Sequence, residues 1–201
     1  KANVRVIAGS ARGIPLSPVK GITTRPISDR IKGSLFNILA GVIPESRVID
    51  MYAGTGAIGI EALSQGAKSC IFIESDSTAI AVIKKNLEAT RLHDNARVLK
   101  YDVFEITPYL EKNNIAIDLI FASPPYPLIE KSLYRDKLLT LFFSLCSKYI
   151  LQPDGLIMLQ HRKTDFERVP EGFCLELFDT RIYGDTQLSF FKNTIKQEHS
   201  L

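Results

Sequence analysis

A doubly wound α/β fold on a mainly parallel sheet, closed by a C-terminal antiparallel hairpin, is what this 201-residue sequence predicts. Three observations predict it. Between Arg47 and Gln160, short strand-like runs alternate with helical patterns across short links. Three glycines mark the passage from the first of those strands to the helix that follows, Gly54 and Gly56 before it and Gly59 in its first turn, the place where such sheets collect ligands. The chain then closes on two runs, Cys174–Tyr183 and Gln187–Phe191, joined by Gly-Asp-Thr, which is a hairpin pattern.

Taken in order, Val4–Ile7 and Ile14–Leu16 read as two short strands around a Gly-Ser-Ala-Arg-Gly turn. Lys20–Pro26 reads as a loop, and Ser28 as an N-cap with Asp29 in the first turn of a helix. Ile31, Leu35, Ile38 and Leu39 share one face of that helix, which ends near Gly41; Arg30, Gly33 and Asn37 lie on the other. Strands are expected at Arg47–Asp50, Ser69–Glu74, Ala96–Lys100, Ile117–Phe121 and Gly155–Gln160. Helices are expected at Ala57–Gln65, Ser77–Thr90, Val103–Lys112 and Leu133–Lys148. The expected organisation is a basic extension over 1–41, a ligand-binding domain over 42–192 and a fraying polar tail over 193–201.

Composition excludes several classes. Hydrophobic content of 45% and charged content of 23% are those of a globular chain with a full core. The start has no signal-peptide pattern, and the most apolar run, Leu138 to Leu151, is cut by Lys148. No membrane association and a cytoplasmic location are expected. Cys70, Cys146 and Cys174 are odd in number and widely spaced, so reduced thiols are expected. His93, His161 and His199 form no metal-ligand pattern, and no metal is expected. The net charge is +3, yet residues 1–40 set Lys1, Arg5, Arg12, Lys20, Arg25, Arg30 and Lys32 against Asp29 alone. A basic leading arm on a mildly acidic body suits a polyanionic partner, and equally a solvated surface.

The strand ends carry the chemistry. After the first strand stand Asp50 and the glycine turn; after the second, Glu74; after the third, Asp102; after the fourth, Ser123-Pro124-Pro125-Tyr126. A carboxylate at Glu74 can accept from both hydroxyls of a ribose. One at Asp102 can accept from an adenine amine. The glycine turn with Glu74 twenty residues on from Gly54 also satisfies the dinucleotide fingerprint, so this segment alone fits a nicotinamide enzyme equally well. Proline has no N–H for a sheet ladder, so the fourth strand must stop at the Pro-Pro pair.

"DMYAGTGAIGIEAL", "FIESD" and "FASPPY" resemble the motifs of Rossmann-like S-adenosylmethionine-dependent methyltransferases that act on planar nitrogens. "RVIAGSARGIPL", "TTRPISDRIKGSLFNIL" and "YGDTQLSFF" narrow the resemblance to the RsmD family, the bacterial 16S ribosomal RNA guanine-N2 methyltransferases. It covers Arg5 to about Phe191, and its most specific part lies between Arg25 and Leu39. The resemblance implies S-adenosylmethionine as cofactor, held by Asp50, Tyr52, Gly54, Gly56, Glu74, Asp102 and Val103. It implies a catalytic clamp at Ser123, Pro124, Pro125 and Tyr126, where the Ser123 side chain and Pro124 carbonyl accept the amine hydrogens and Tyr126 stacks on the base. It further implies 16S rRNA within the small subunit as partner and a monomeric protein. Arg5, Arg12, Arg25, Arg30 and Lys32 are the expected phosphate contacts.

Two positions depart from the family pattern. Ser123 stands where Asp is usual and is a weaker acceptor, which places more of the task on the Pro124 carbonyl. Gly33 stands where Glu is common and costs helix stability, roughly 1 kcal/mol against Ala. Ser-Pro-Pro-Tyr alone does not separate guanine from a DNA adenine N6 or a protein glutamine, and Ser123 leaves room for a non-catalytic RNA-binding assembly factor.

Overall fold

The computed structural model describes residues 4–19, 27–165 and 174–196, and the chain divides into two compact units, Lys1–Val103 and Phe104–Leu201. The fold class is the expected one: mixed α/β with seven strands among the described residues, mainly parallel, and antiparallel strands at the C-terminal end.

In the first unit, a small antiparallel ribbon opens the chain. Val6 N donates to Ile14 O at 3.0 Å, Gly13 N to Val6 O at 2.8 Å and Leu16 N to Val4 O at 2.8 Å. Among the described residues this ribbon has one regular bridge, Arg5–Pro15, a non-hydrogen-bonded pair flanked by Leu16 N–Val4 O and Val6 N–Ile14 O, where the N–H that Pro15 lacks would not face the partner strand. The loop expected at 20–26 lies outside the described residues. Helix α1, Asp29–Ile38, begins at Ser28, whose Oγ accepts from Ile31 N at 3.3 Å. Its buried face is Lys32, Leu35 and Phe36, with Leu39 just beyond. Ile31 and Ile38 are only half-buried, so the face is turned from the one expected.

Three parallel strands follow in the order β3-β2-β1: β1 Arg47–Met51, β2 Ser69–Glu74 and β3 Ala96–Lys100. Helix α2, Ala57–Ser64, is buried along its whole length. A Cβ at Gly59 would lie 2.4 Å from Phe72 Cε1 and 2.7 Å from Cys70 Sγ, so only glycine lets α2 seat this closely on β2. Helix α3, Ser77–Thr90, is capped by Asp76, whose Oδ1 accepts from Ala79 N at 2.8 Å.

The leading segment is bolted to α2 and α3 rather than standing apart. Glu61 takes the amides of Ile7 and Ala8 at 2.9 and 3.0 Å. Ser64 Oγ accepts from Ala11 N at 2.9 Å and donates to Ala8 O at 2.6 Å. A Cβ at Gly9, where φ is +83°, would fall 1.7 Å from Ser64 O, so that contact requires glycine. Asn86 of α3 accepts from Ser17 N at 2.7 Å and donates to Ser17 O at 3.1 Å.

The second unit holds helices α4 Thr107–Lys112, α5 Tyr126–Ile129 and α6 Ser132–Ser147, and strands β4 Ile117–Ala122, β5 Leu151–Arg162, β6 Leu175–Tyr183 and β7 Thr186–Asn193. The helix expected from Val103 starts instead as a 3-10 turn, and α4 proper begins at Thr107 with Pro108 in its first turn. Strand order is β4-β5-β7-β6; β4 and β5 are parallel, and β7 runs antiparallel to both neighbours. Strand β5 begins four residues earlier than expected, at Leu151. It tolerates Pro153 because the β4 register jumps from Ile117–Leu151 to Leu119–Leu156 and leaves the intervening residues unpaired. At the C-terminus, Thr194 N donates to Cys174 O at 2.7 Å; residues 197–201 of the expected tail lie outside the described part.

Candidate active site

In the first unit, the turn after β1 is a run of left-handed residues: Tyr52 at φ 59°, Gly54 at 56° and Gly56 at 78°. Tyr52 holds the strained value without being glycine, a conformation that tends to mark binding turns. Gly56 is the N-cap of α2 and supplies no side-chain cap. The amides at the start of α2 therefore suit a carboxylate such as that of a methionine moiety.

Asp50 is buried, and its Oδ2 accepts from Gly59 N at 2.9 Å, tying the strand end to the third glycine. Burial pushes its pKa up to about 8; the Gly59 N–H works against the shift and the charge of Glu74 adds to it. Glu74 holds the turn from the other side. Its Oε2 accepts from Gly54 N at 2.9 Å, and its Oε1 from Ser75 N and Asp76 N at 2.8 and 2.9 Å. A carboxylate offers about four acceptor positions, so roughly one is left on Glu74 in this arrangement. Asp102 is exposed just past β3, next to Tyr101, whose N–H donates to Glu74 O at 3.2 Å; Val103 is buried at the start of the following turn.

Asn86 is a residue that sequence reasoning missed. Besides holding Ser17, its Nδ2 donates to Thr55 O at 2.9 Å, so one buried amide joins the leading segment to the glycine turn. A lone Asn inside an amphipathic helix carries no such signal in sequence.

Among the leading cations, Arg5, Arg12 and Arg30 are exposed, and Arg5 Nε lies 3.6 Å from Asp29 Oδ2. Lys32 corrects the expectation of a phosphate contact. It is 0% exposed, its Nζ 3.1 Å from Glu61 Oε2 and donating to Arg5 O at 2.5 Å. A cation with a buried carboxylate and a carbonyl for partners is not available to solvent. Arg25 lies outside the described residues.

In the second unit, β4 ends at Ala122, and Ser123, Pro124 and Pro125 lead into α5, whose first residue is Tyr126. Pro124 is buried, while Ser123 and Tyr126 are half-buried. Pro125, at φ −56° and ψ 131°, precedes a single helical turn that is too short to give a periodic signal in sequence. Tyr126 is tied to its neighbours through its hydroxyl as well as half-buried. Its hydroxyl is 2.8 Å from Thr186 Oγ1 and receives Gln160 Nε2 at 3.3 Å, and the Arg162 guanidinium lies 5.3 Å from its ring centroid. Arg162 also pairs with Glu130. Ser123 Oγ donates to Gln160 Oε1 at 3.4 Å. Gln160, Arg162 and Thr186 were not singled out by the sequence. The available signal was a polar residue, Gln160, directly after the apolar run Leu156–Leu159, and Thr186 inside "YGDTQLSFF".

Among the described residues, no group of three or more His, Cys, Asp or Glu could hold a metal ion, and no helix is long and apolar enough to cross a membrane.

Comparison with known proteins converges on one group. The family described as conserved hypothetical protein 95 matches residues 4–192. The Bacillus subtilis protein YlbH is 32% identical over 191 residues, covering 94% of this chain and 98% of its own length. The ribosomal RNA small subunit methyltransferase D of Haemophilus influenzae is 33% identical over 178 residues, 87% of each chain. Among solved structures, the Escherichia coli protein YhhF superposes with a TM-score of 0.79 at 27% identity, over 97% of this chain and 100% of that one.

Proposed function

The chain belongs to the RsmD family of S-adenosylmethionine-dependent rRNA methyltransferases, and from that premise we propose that it methylates the exocyclic N2 of a guanine in 16S rRNA. The observation that carries the planar-amine reading is the Ser123-Pro124-Pro125-Tyr126 turn at the end of β4, with the Tyr126 hydroxyl pinned to Thr186, and the family match over residues 4–192 supports rRNA guanine over the other amines.

An exocyclic amine is a poor nucleophile because its lone pair is delocalised into the ring. Two acceptors aimed at its hydrogens orient the nitrogen and localise that pair. The Pro124 carbonyl is one, fixed in direction by two adjacent prolines before the base arrives. Ser123 Oγ is the other. Tyr126 stacks on the base plane. S-adenosylmethionine, when bound, supplies an electrophilic methyl on a positively charged sulfur. With it bound, the amine held by Ser123 and Pro124 would take that methyl from the sulfur and pass its surplus N–H proton to water. Positioning of this kind contributes on the order of 7–11 kcal/mol, so no covalent nucleophile is needed.

For the cofactor we assign the start of α2 and the turn of Tyr52, Gly54 and Gly56 to the methionine carboxylate, and Asp50 to its amino group. Glu74 takes the ribose, and Asp102 with Val103 the adenine. With one ribose hydroxyl on each oxygen, Oε2 takes the first beside Gly54 N–H, and Oε1 takes the second only if Ser75 N–H or Asp76 N–H gives way.

Arg5, Arg12, Arg25 and Arg30 in the leading 41 residues are assigned to RNA phosphates. The target base is single-stranded or flipped out, since a stacked base cannot enter the clamp. The reading includes a monomer acting in the cytoplasm on the assembling or assembled small subunit. A labelled-methyl assay tests it with small-subunit particles, naked rRNA, duplex DNA and a release factor. Label is expected in small-subunit rRNA as N2-methylguanine. Tyr126→Ala is expected to abolish transfer while S-adenosylhomocysteine binding stays near wild type; label in DNA or protein alone would overturn the substrate.

A further inference from the structure

Ser123 raises a question that its neighbours answer. A hydroxyl can donate as well as accept, and a proton aimed at the substrate amine would repel it. With the Gln160 amide oriented as it is here, Nε2 toward Tyr126 and Oε1 toward Ser123, the surrounding hydrogen bonds decide which it does. Tyr126 OH receives Gln160 Nε2 at 3.3 Å and lies 2.8 Å from Thr186 Oγ1. With Gln160 donating, the phenolic proton goes to Thr186. The amide then turns Oε1 toward Ser123, which donates its only proton there at 3.4 Å. What Ser123 Oγ has left is lone pairs. The 3.4 Å separation is long for this bond, and contacts of this kind commonly shorten in the Michaelis complex.

The strand geometry supports the arrangement. Gln160 and Arg162 are two apart on β5 and share a face, and Thr186 is the cross-strand partner of Arg162. The three side chains that hold Tyr126 therefore come from one face of the β5–β7 pair, with the amide of Gln160 reaching both Ser123 and Tyr126.

We propose that Gln160 is a positioning residue for methyl transfer: its amide oxygen takes the Ser123 proton, so that Ser123 meets the guanine amine as an acceptor only, as a carboxylate would. This rests on the methyltransferase reading above. It explains how a serine works where the family carries Asp.

The test is a mutant cycle read as kcat for methyl transfer to small-subunit particles, with thermal melting and S-adenosylhomocysteine affinity as controls. Gln160→Met is expected to lower kcat about tenfold, the scale of one lost hydrogen bond to a reacting group. Ser123→Ala is expected to do the same, and the double variant to stay within about threefold of Ser123→Ala alone. Gln160→Glu keeps an acceptor toward Ser123 and is expected to recover most of the kcat lost in Gln160→Met. Gln160→Lys, which offers donors only, is expected to lose it. The Glu–Lys pair decides the matter if the Met variant does not melt cooperatively. Wild-type kcat in Gln160→Met, losses that multiply in the double variant, or equal rates for the Glu and Lys variants would overturn the proposal alone. No transfer by the wild-type protein would overturn it together with the functional reading.

Discussion

Asp50 gives the first unit a pH signature of its own. Its carboxyl prefers the protonated form in the folded chain, with a pKa near 8 against an ordinary 3.8. Between those values the folded state holds a proton that the unfolded state has released. The stabilising preference is complete below the ordinary value and is lost as pH rises to about 8. Asp50→Asn should remove that slope. Urea midpoints measured from pH 5 to pH 9 are expected to fall with pH in the wild type and to be flatter in the variant. Parallel profiles would contradict the burial argument. The residue scale is also where sequence misleads most. Lys32 reads as one more arm cation, because nothing local announces that Glu61, twenty-nine positions on, will meet it in the core. Removing one member of such a pair leaves an unpaired buried charge, at a cost of about 3–5 kcal/mol. Gln160 is the converse: a plain polar residue whose importance comes from Tyr126 and Ser123, far away in sequence.

At the scale of elements, the strands and helices around the ligand-binding turns were legible, and for physical reasons. Buried β2 leaves an unbroken apolar run, and helices such as α3 leave caps; Ser69–Glu74 and Ser77–Thr90 stand as the pattern placed them, as does Ala96–Lys100, which has no fully buried residue. Single-turn α5 leaves neither sign. The face of α1 was misread because its burial is set by partners elsewhere in the chain. Gly33 of that helix has space: an added Cβ would meet only Ile7 Cδ1, at 3.8 Å, an ordinary contact. Gly33→Ala is therefore expected to stabilise the protein by about 0.5–1 kcal/mol in denaturant titration. Loss of stability would show that the helix face is packed more tightly than this.

At the scale of the whole molecule, charge asymmetry and motif order carried the functional reading. The ordered strand-end groups were visible because each lies next to a proline, a glycine or a strand terminus. The hydrogen bonds that bolt the leading segment to α2 and α3 were not, since Glu61, Ser64 and Asn86 look like ordinary helix residues. This bolting has a consequence for RNA affinity. Exposed Arg12 should act as a phosphate contact and buried Lys32 should not. Arg12→Ala is expected to reduce the slope of log K against log salt by about 0.7–0.9. Lys32→Met should leave that slope unchanged wherever the protein stays folded. Equal slopes for wild type and Arg12→Ala would remove Arg12 from the interface.

The central claim, methyl transfer to one guanine N2 of small-subunit rRNA, is tested most directly by mass spectrometry of that rRNA from cells lacking this protein. The expected result is one guanine short of a single N2 methyl, restored by the wild-type chain and not by Tyr126→Ala. An unchanged methylation pattern would contradict it.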